Sequence, residues 1–278
     1  MSRQSASWLD GTPTSVLPLP DRGLDFGDGL FETLLLHNGN PVYLDLHMAR
    51  LAQGLETLAI PDCLALAQKQ VEQVCGAIEE EWRWAALRLS VIRSPGPRGY
   101  APAPNLPPRI LIHVTPLDRD CAKMSSAATL NLANIRLSTQ PALARIKHMN
   151  RLEQVVAATQ AQAENVDESF LLDQVGNLVS VTAGNVFLLY QGELLTPVLD
   201  NCGVAGTRRR MIIEKWAPSM GLEVREARLT LEHIANAEEV FYSNSLHTVR
   251  PVSGFGAKCW SSHGVCEALF EKFREALR

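Results

Sequence analysis

Apolar positions run from Phe31 to His37, stop at Asn38-Gly39-Asn40 and resume through Val42-Tyr43-Leu44, which predicts a β-hairpin. The period then changes. Leu44, Met48, Leu51, Leu55 and Leu58 recur at helical spacing, with Asp45 placed to cap the helix they define. His47 and Arg50, three residues apart, share one side of it, and a solvated pair is the plain reading. A second helix is expected from about Leu64 to Glu81, then strands over Trp84–Ile92 and Arg109–Pro116. Before all of these, Trp8-Leu9-Asp10-Gly11 and Thr14-Ser15-Val16-Leu17 form a short hairpin pattern around Gly11-Thr12-Pro13.

The Ser/Ala/Asp-rich stretch from Leu117 to Ala128 is the best candidate boundary. Beyond it the pattern predicts a strand near Thr129–Leu137 and a helix from Arg151 to about Glu164. Short strands follow at Ser169–Leu172, Leu178–Thr182, Val186–Tyr190 and Glu193–Thr196, separated by turn residues. Closely spaced β units of this kind suggest a barrel-like, strand-rich domain. A helix from the Gly203 region to about Met220, a strand over Glu238–Tyr242 and an amphipathic helix from Gly264 to Arg278 complete the chain.

Composition narrows the class. A chain of 278 residues with 46% hydrophobic content can build one large domain or two ordinary ones. A net charge of −4 gives no basic surface for nucleic acid or an anionic membrane. The six cysteines form no CxxC pair and no Cys/His cluster with metal-ligand spacing, so they read as reduced thiols of a cytoplasmic protein with no metal site. The polar N-terminus lacks a signal-peptide core, and no run approaches the roughly 18–20 apolar residues of a membrane span.

Four stretches carry candidate chemistry. Lys147 is one of six lysines and lies just ahead of a helix, where Asn150 and Glu153 have capping-box spacing. A lysine on so fixed a backbone can be desolvated and act as a nucleophile or Schiff-base amine; the plain alternative is a surface loop lysine. Gly23, Gly27 and Gly29 imply a tight loop, without Walker or dinucleotide spacing. The Pro/Gly-rich loop Arg93–Tyr100 is either an ordinary surface loop or one presenting arginine to a carboxylate. Gly203-Val204-Ala205-Gly206-Thr207 opens a helix with small residues, a weak anion-site signal, and Ser243-Asn244-Ser245 is a turn or a second phosphate contact.

In order along the chain, Phe26-Gly27-Asp28-Gly29-Leu30-Phe31-Glu32, His47-Met48-Ala49-Arg50-Leu51, Ile146–Gln154, Gly184-Asn185-Val186-Phe187 and Gly203-Val204-Ala205-Gly206 resemble the fold-type IV pyridoxal-phosphate enzymes. These are the branched-chain and D-amino acid aminotransferases and the aminodeoxychorismate lyases. The resemblance spans roughly residues 8 to 275, and the lysine stretch and Arg98-Gly99-Tyr100 fit the lyase branch. It implies an α/β (α+β) fold with a small α/β N-terminal domain (1–117), a linker (118–128) and a larger strand-rich, barrel-like C-terminal domain (129–278) carrying the lysine. It also implies a homodimer with pyridoxal 5'-phosphate as cofactor. Lys147 matches the Schiff-base lysine and Arg50 the arginine on the cofactor phosphate. Gly206, Thr207 and Arg208 match the helix-start backbone around that phosphate, and Asn244 and Ser245 a second contact to it. Arg98 and Tyr100 match the substrate loop. The implied reaction is elimination of pyruvate from 4-amino-4-deoxychorismate to give 4-aminobenzoate for folate synthesis. Arg98 and Arg93 would hold carboxylates, and Lys147 or Thr33 would supply the proton. An aminotransferase, or a catalytically silent dimeric binding protein, is the alternative.

One position departs from the family. Five residues before the Asn of Asn185-Val186-Phe187 the family carries a glutamate that pairs with the pyridinium nitrogen, and here stands Ser180. A hydroxyl brings no charge to that nitrogen, which implies a weaker electron sink. Transamination suffers more from this than an elimination driven by aromatisation.

Overall fold

The computed structural model describes residues 5–78, 82–97 and 99–277. The chain divides into two units. One comprises Met1–Asp120 with Ile146–Asn150, and the other Cys121–Arg145 with Arg151–Arg278.

The first unit is an antiparallel sheet with helices. Its elements are β1 (Ala6–Leu9), β2 (Thr12–Pro13), α1 (Arg22–Phe26), β3 (Gly29–His37), β4 (Asn40–Pro41), α2 (Leu44–Thr57), α3 (Leu64–Ala77), β5 (Trp84–Ile92) and β6 (Arg109–Pro116). The strands lie in the order β2-β1-β6-β5-β3-β4. β3 assigns its two faces by parity. Leu30 packs on Gly54 of α2 and Glu32 bonds to the same helix, while His37 on the opposite face stacks on Trp84. The Ile146–Asn150 segment extends this unit beside β3, because Phe31 N–H donates to the Lys147 carbonyl and Met149 N–H to that of Gly29, both at 2.9 Å.

The second unit contains β7 (Ala128–Leu132), α4 (Leu152–Ala163), β8 (Glu168–Leu172), β9 (Leu178–Val181), β10 (Asn185–Tyr190) and β11 (Glu193–Pro197). It continues with α5 (Thr207–Met211), which runs through a π turn (Ile212–Trp216) into α6 (Ala217–Ser219), then β12 (Val224–Ala227), α7 (Leu231–Asn236), β13 (Glu239–Asn244), β14 (Thr248–Phe255), β15 (Lys258–Cys259) and α8 (Gly264–Ala276). The sheet order is β12-β11-β10-β13-β14-β7-β8-β9, with β15 on β14, curled into a half-barrel. Phe170, Val186, Leu188, Val240, Tyr242, Val252 and Trp260 fill its core.

Several local expectations change. Tyr43, in the left-handed region at φ 60, caps α2, and Asp45 lies within its first turn. The hairpin's return strand is only Asn40–Pro41, because the helix starts at Leu44. Arg151, not Asn150, caps α4. The Asn150 amide donates to the Gly27 carbonyl and the Glu153 carboxylate accepts the Ser138 N–H, so the capping box is replaced by two tertiary bonds. The glycine loop contains a helical turn, capped when Asp21 accepts the Leu24 N–H and closed by Gly27 at φ 62. The strand begun near Thr129 ends at Leu132. The expected end of the second helix at Glu81 falls outside the described residues; Ala77 ends α3.

Candidate active site

The first unit concentrates charge around β3. On its helix-facing side Glu32 is 1% exposed, and two residues of α2 converge on it. His47 Nδ1 donates to Oε2 at 2.6 Å, and Arg50 donates from Nε to Oε1 at 2.8 Å and from Nη2 to Oε2. Burial pushes the Glu32 carboxyl up, but the charge and hydrogen bonds of Arg50 and His47 outweigh it and hold the group at about 2. The Arg50–His47 pair therefore faces inward onto a buried carboxylate rather than being solvated. A guanidinium fork gripped on one edge is fixed in direction.

The opposite face of β3 carries Phe31 and Thr33. The Lys147 ammonium sits 4.4 Å from the centre of the Phe31 ring, and the Arg88 guanidinium 3.9 Å from it. Thr33, half-buried, lies directly opposite Arg88 in the β3–β5 ladder. The short backbone ladder to β3 thus holds Lys147 on the same sheet face as Phe31 and Thr33.

Of the residues expected on the substrate loop, Arg93 serves another purpose. Its Nε donates to both Asp28 oxygens at 3.2 and 3.0 Å, Nη1 to the Ala59 carbonyl at 2.9 Å and Nη2 to that of Leu58. With its fork closed on three acceptors, Arg93 is a strut between the glycine loop and the end of α2. Asp28 also accepts from Arg22 Nε at 2.8 Å, and Arg22 holds the Gly99 and Tyr100 carbonyls at 3.1 and 2.7 Å. Tyr100 is 85% exposed, its ring 5.4 Å from that of Phe26. Arg98 lies outside the described residues.

In the second unit the start of α5 is a built cradle. A Cβ on Gly206 would lie 2.1 Å from Asn185 Oδ1, and the Asn185 amide donates to the Val204 carbonyl at 2.8 Å, so only glycine fits there. The helical run from Thr207 to Ser219 directs its first N–H groups and the positive end of its dipole outward from this point. Thr207 is 3% exposed, with its hydroxyl 3.5 Å from that of Ser245. Arg208 is 1% exposed; it points inward, donates to the Ser245 carbonyl at 3.4 Å and lies over Phe273. At the helix start it is thus the Arg208 backbone that would meet an anion. The Asn244 side chain builds the turn: it donates to Ala183 O at 3.0 Å and accepts the Leu246 and His247 N–H groups. These groups suit a phosphate, as inward hydroxyls and helix-start amides do in general.

Ser180 is buried on β9, opposite Leu171. Two nearby carboxylates are engaged elsewhere. Glu168 accepts the Ala183 N–H, and Asp173 closes a turn by accepting the Val175 and Asn177 N–H groups. Among the described residues no group of three or more His, Cys, Asp or Glu could hold a metal, and no helix is long and apolar enough to cross a membrane.

Residues 29–255 match the family described as amino-transferase class IV. The chain belongs to that family. It is 31% identical to an aminodeoxychorismate lyase of Vibrio harveyi over 90% of this chain and 91% of that one. It is 30% identical to a putative branched-chain-amino-acid aminotransferase of Methanocaldococcus jannaschii over 92% and 89%. The crystal structure of 4-amino-4-deoxychorismate lyase from Pseudomonas aeruginosa superposes with a TM-score of 0.88 at 34% identity, covering 98% of this chain and 99% of that one.

Sequence reasoning missed Glu32 and Arg88. Both interrupt apolar strands, and parity was the available signal. Glu32 shares the buried side of β3 with Leu30, Leu34 and Leu36, whereas Arg88 lies between the fully buried Leu87 and Leu89.

Proposed function

We propose that the protein is a 4-amino-4-deoxychorismate lyase, releasing pyruvate and 4-aminobenzoate, and that it works as a cytoplasmic homodimer on the folate pathway. The observation that carries this reading is the placement of Lys147. The segment Ile146–Asn150 is laced to β3, and the amine lies against Phe31 on the face that carries Thr33. The likeness to lyases of two organisms at 31% and 34% identity supports the substrate.

Pyridoxal phosphate is the family's cofactor, and when bound it supplies an aldehyde for an amine and a ring that takes up electrons. In the second unit, Gly206, Thr207 and the Arg208 backbone, with Ser245, would receive its phosphate. In the first unit Arg50 is held in direction by Glu32, and its charge would favour an anion there. Lys147 would hold the aldehyde in the resting enzyme. Its amine, when not engaged, would serve as the base for the proton on the carbon that bears the substrate's amine. The enolpyruvyl oxygen needs a proton as it leaves. Lys147, then protonated, or the Thr33 hydroxyl would deliver it. Ser180, uncharged, would leave the ring nitrogen without a carboxylate partner, which disfavours transamination more than an aromatising elimination.

The test is Lys147→Ala. It should abolish pyruvate release from aminodeoxychorismate, and borohydride should no longer fix the cofactor to the 145–151 peptide. Wild-type turnover in this variant would sink the reading. The competing activity, branched-chain or D-amino acid transamination, is separated by assaying amino-acid and 2-oxo-acid exchange on the same preparation.

A further inference from the structure

Gly27-Asp28-Gly29 joins α1 to β3, and its backbone and its side chain bond to different things. The backbone takes the lysine segment. The Gly27 carbonyl accepts the Asn150 amide at 3.1 Å, and the Gly29 carbonyl accepts the Met149 N–H at 2.9 Å. Both glycines press against that segment: a Cβ on Gly27 would lie 2.8 Å from Asn150 Oδ1, and one on Gly29 2.8 Å from Met149 Sδ. The Asp28 carboxylate takes Arg22, whose Nε donates to it at 2.8 Å.

Arg22 carries the connection onward to the loop between β5 and β6. Its Nη1 donates to the Gly99 carbonyl at 3.1 Å and its Nη2 to the Tyr100 carbonyl at 2.7 Å, so each guanidinium nitrogen has an acceptor. The residue is 6% exposed, and its guanidinium lies 4.9 Å from the centre of the Phe26 ring, which is 5.4 Å from that of Tyr100. A planar fork with its donors engaged and an aromatic ring beside it has one orientation. The feet of the loop are held separately. The Arg93 N–H donates to the Asp28 carbonyl at 3.1 Å, the Ser94 hydroxyl to the Pro107 carbonyl, and Arg109 to Asp21 at 2.9 Å. Between the feet the two limbs touch, since a Cβ on Gly96 would lie 2.9 Å from that of Ala103. Among the described residues from Pro95 to Leu106, the hydrogen bonds that tie the loop to the rest of the unit are the two from Arg22.

We infer that Arg22 is a positioning residue, which sets the loop between β5 and β6 relative to the Lys147 segment through Asp28 and the backbone of Gly27 and Gly29. The inference rests on the lyase reading for the loop's part in binding substrate. A loop held in one shape loses less freedom when substrate arrives than one that must be ordered at that moment, so the strap favours binding. Lys147 does not depend on it, because the ladder from the lysine segment to β3 runs through Phe31 and Gly29. Nor does Arg93 stand in for it: with the Arg93 side chain removed, its N–H still bonds to Asp28 and Arg22 still spans Asp28 and the two loop carbonyls.

The experiment pairs a protease with steady-state kinetics on the cofactor-loaded enzyme. Chymotrypsin cuts an open chain after tyrosine, and the bond after Tyr100 carries the carbonyl that Arg22 holds. The Tyr100 side chain is 85% exposed, so release of the backbone limits the cut. Wild type should be cut there at least about tenfold more slowly than a free peptide of residues 94–107, and Arg22→Met should approach the rate of the peptide. Arg22→Met should also raise KM for aminodeoxychorismate about tenfold, with kcat changed by less than about threefold. Arg22→Lys, which keeps the charge without the fork, should recover part of the resistance and part of KM. Wild type cut as fast as the peptide overturns the strap, and Arg22→Met that is cut faster at unchanged KM overturns the positioning role. The comparison of wild type with the peptide needs neither turnover nor a folded variant. Absence of pyruvate release from wild type would therefore count against the lyase reading alone, while the cleavage rates still decide whether Arg22 fixes the loop.

Discussion

Replacing Glu32 by Gln isolates the buried charge on which Arg50 depends. The carboxyl falls from its ordinary 4.5 to about 2 in the folded chain, which corresponds to about 3 kcal/mol of stability from its ionised form. Removing one member of a buried ion pair costs about 3–5 kcal/mol by general experience, so two independent routes agree. The sign follows from the depressed value. The contribution is complete above about pH 4.5 and is lost as the pH falls toward 2, because the unfolded chain takes up the proton first. Urea unfolding followed by the fluorescence of Trp82 and Trp84, both buried in the same unit, reads the effect. Glu32→Gln should be less stable than wild type by about 3 kcal/mol at pH 7, and the gap should narrow by about 2 kcal/mol at pH 3. A variant within 1 kcal/mol of wild type at pH 7, or a gap that does not change with pH, would refute the claim that an ionised Glu32 holds Arg50 in place.

Three further outcomes follow from the geometry. Arg93→Met should lose about 2–3 kcal/mol of stability, because Asp28 and the Leu58 and Ala59 carbonyls lose a charged donor, while KM for aminodeoxychorismate stays as in wild type; a selective rise in KM at full stability would return Arg93 to the substrate. Gly206→Ala should weaken binding of the cofactor and of inorganic phosphate together, since the new methyl would meet Asn185 Oδ1 and displace the start of α5, and equilibrium dialysis measures both. Ser180→Glu should raise amino-acid/2-oxo-acid exchange relative to pyruvate release by supplying the missing carboxylate, and an unchanged ratio of the two rates would show that Ser180 does not lie on the ring nitrogen.

The parts of this fold that were legible in the sequence are those where one local signal dominates. β5 and β6 begin and end where the apolar runs Trp84–Ile92 and Arg109–Pro116 do: β5 is buried along most of its length, and β6 alternates buried and half-buried positions after Pro107-Pro108. β12 and β14 were not legible. β12 is a polar edge strand, Val-Arg-Glu-Ala, held by its parallel ladder to β11, and β14 carries Arg250, Pro251 and Gly254, each a poor strand former whose cost the neighbouring β13 and β7 offset. Caps failed for a related reason: Asn150 and Glu153 have the right spacing, but Gly27 and Ser138, distant in sequence, compete for their side chains and win. The site divides along the same line. The lysine stretch and the small residues before α5 stood out by residue type, but the ladder to β3 positions Lys147 and Asn185 closes the space beside Gly206. The arginines were not, because a guanidinium has the same donors everywhere and the fold decides what meets them. Arg93, in a loop that looked built for a substrate, is closed on Asp28 and two carbonyls. Arg88, in a strand that looked like core, has an aromatic face beneath it and no carboxylate among the described residues. The loop can fold back to satisfy its arginine, whereas a strand locked between two neighbours cannot.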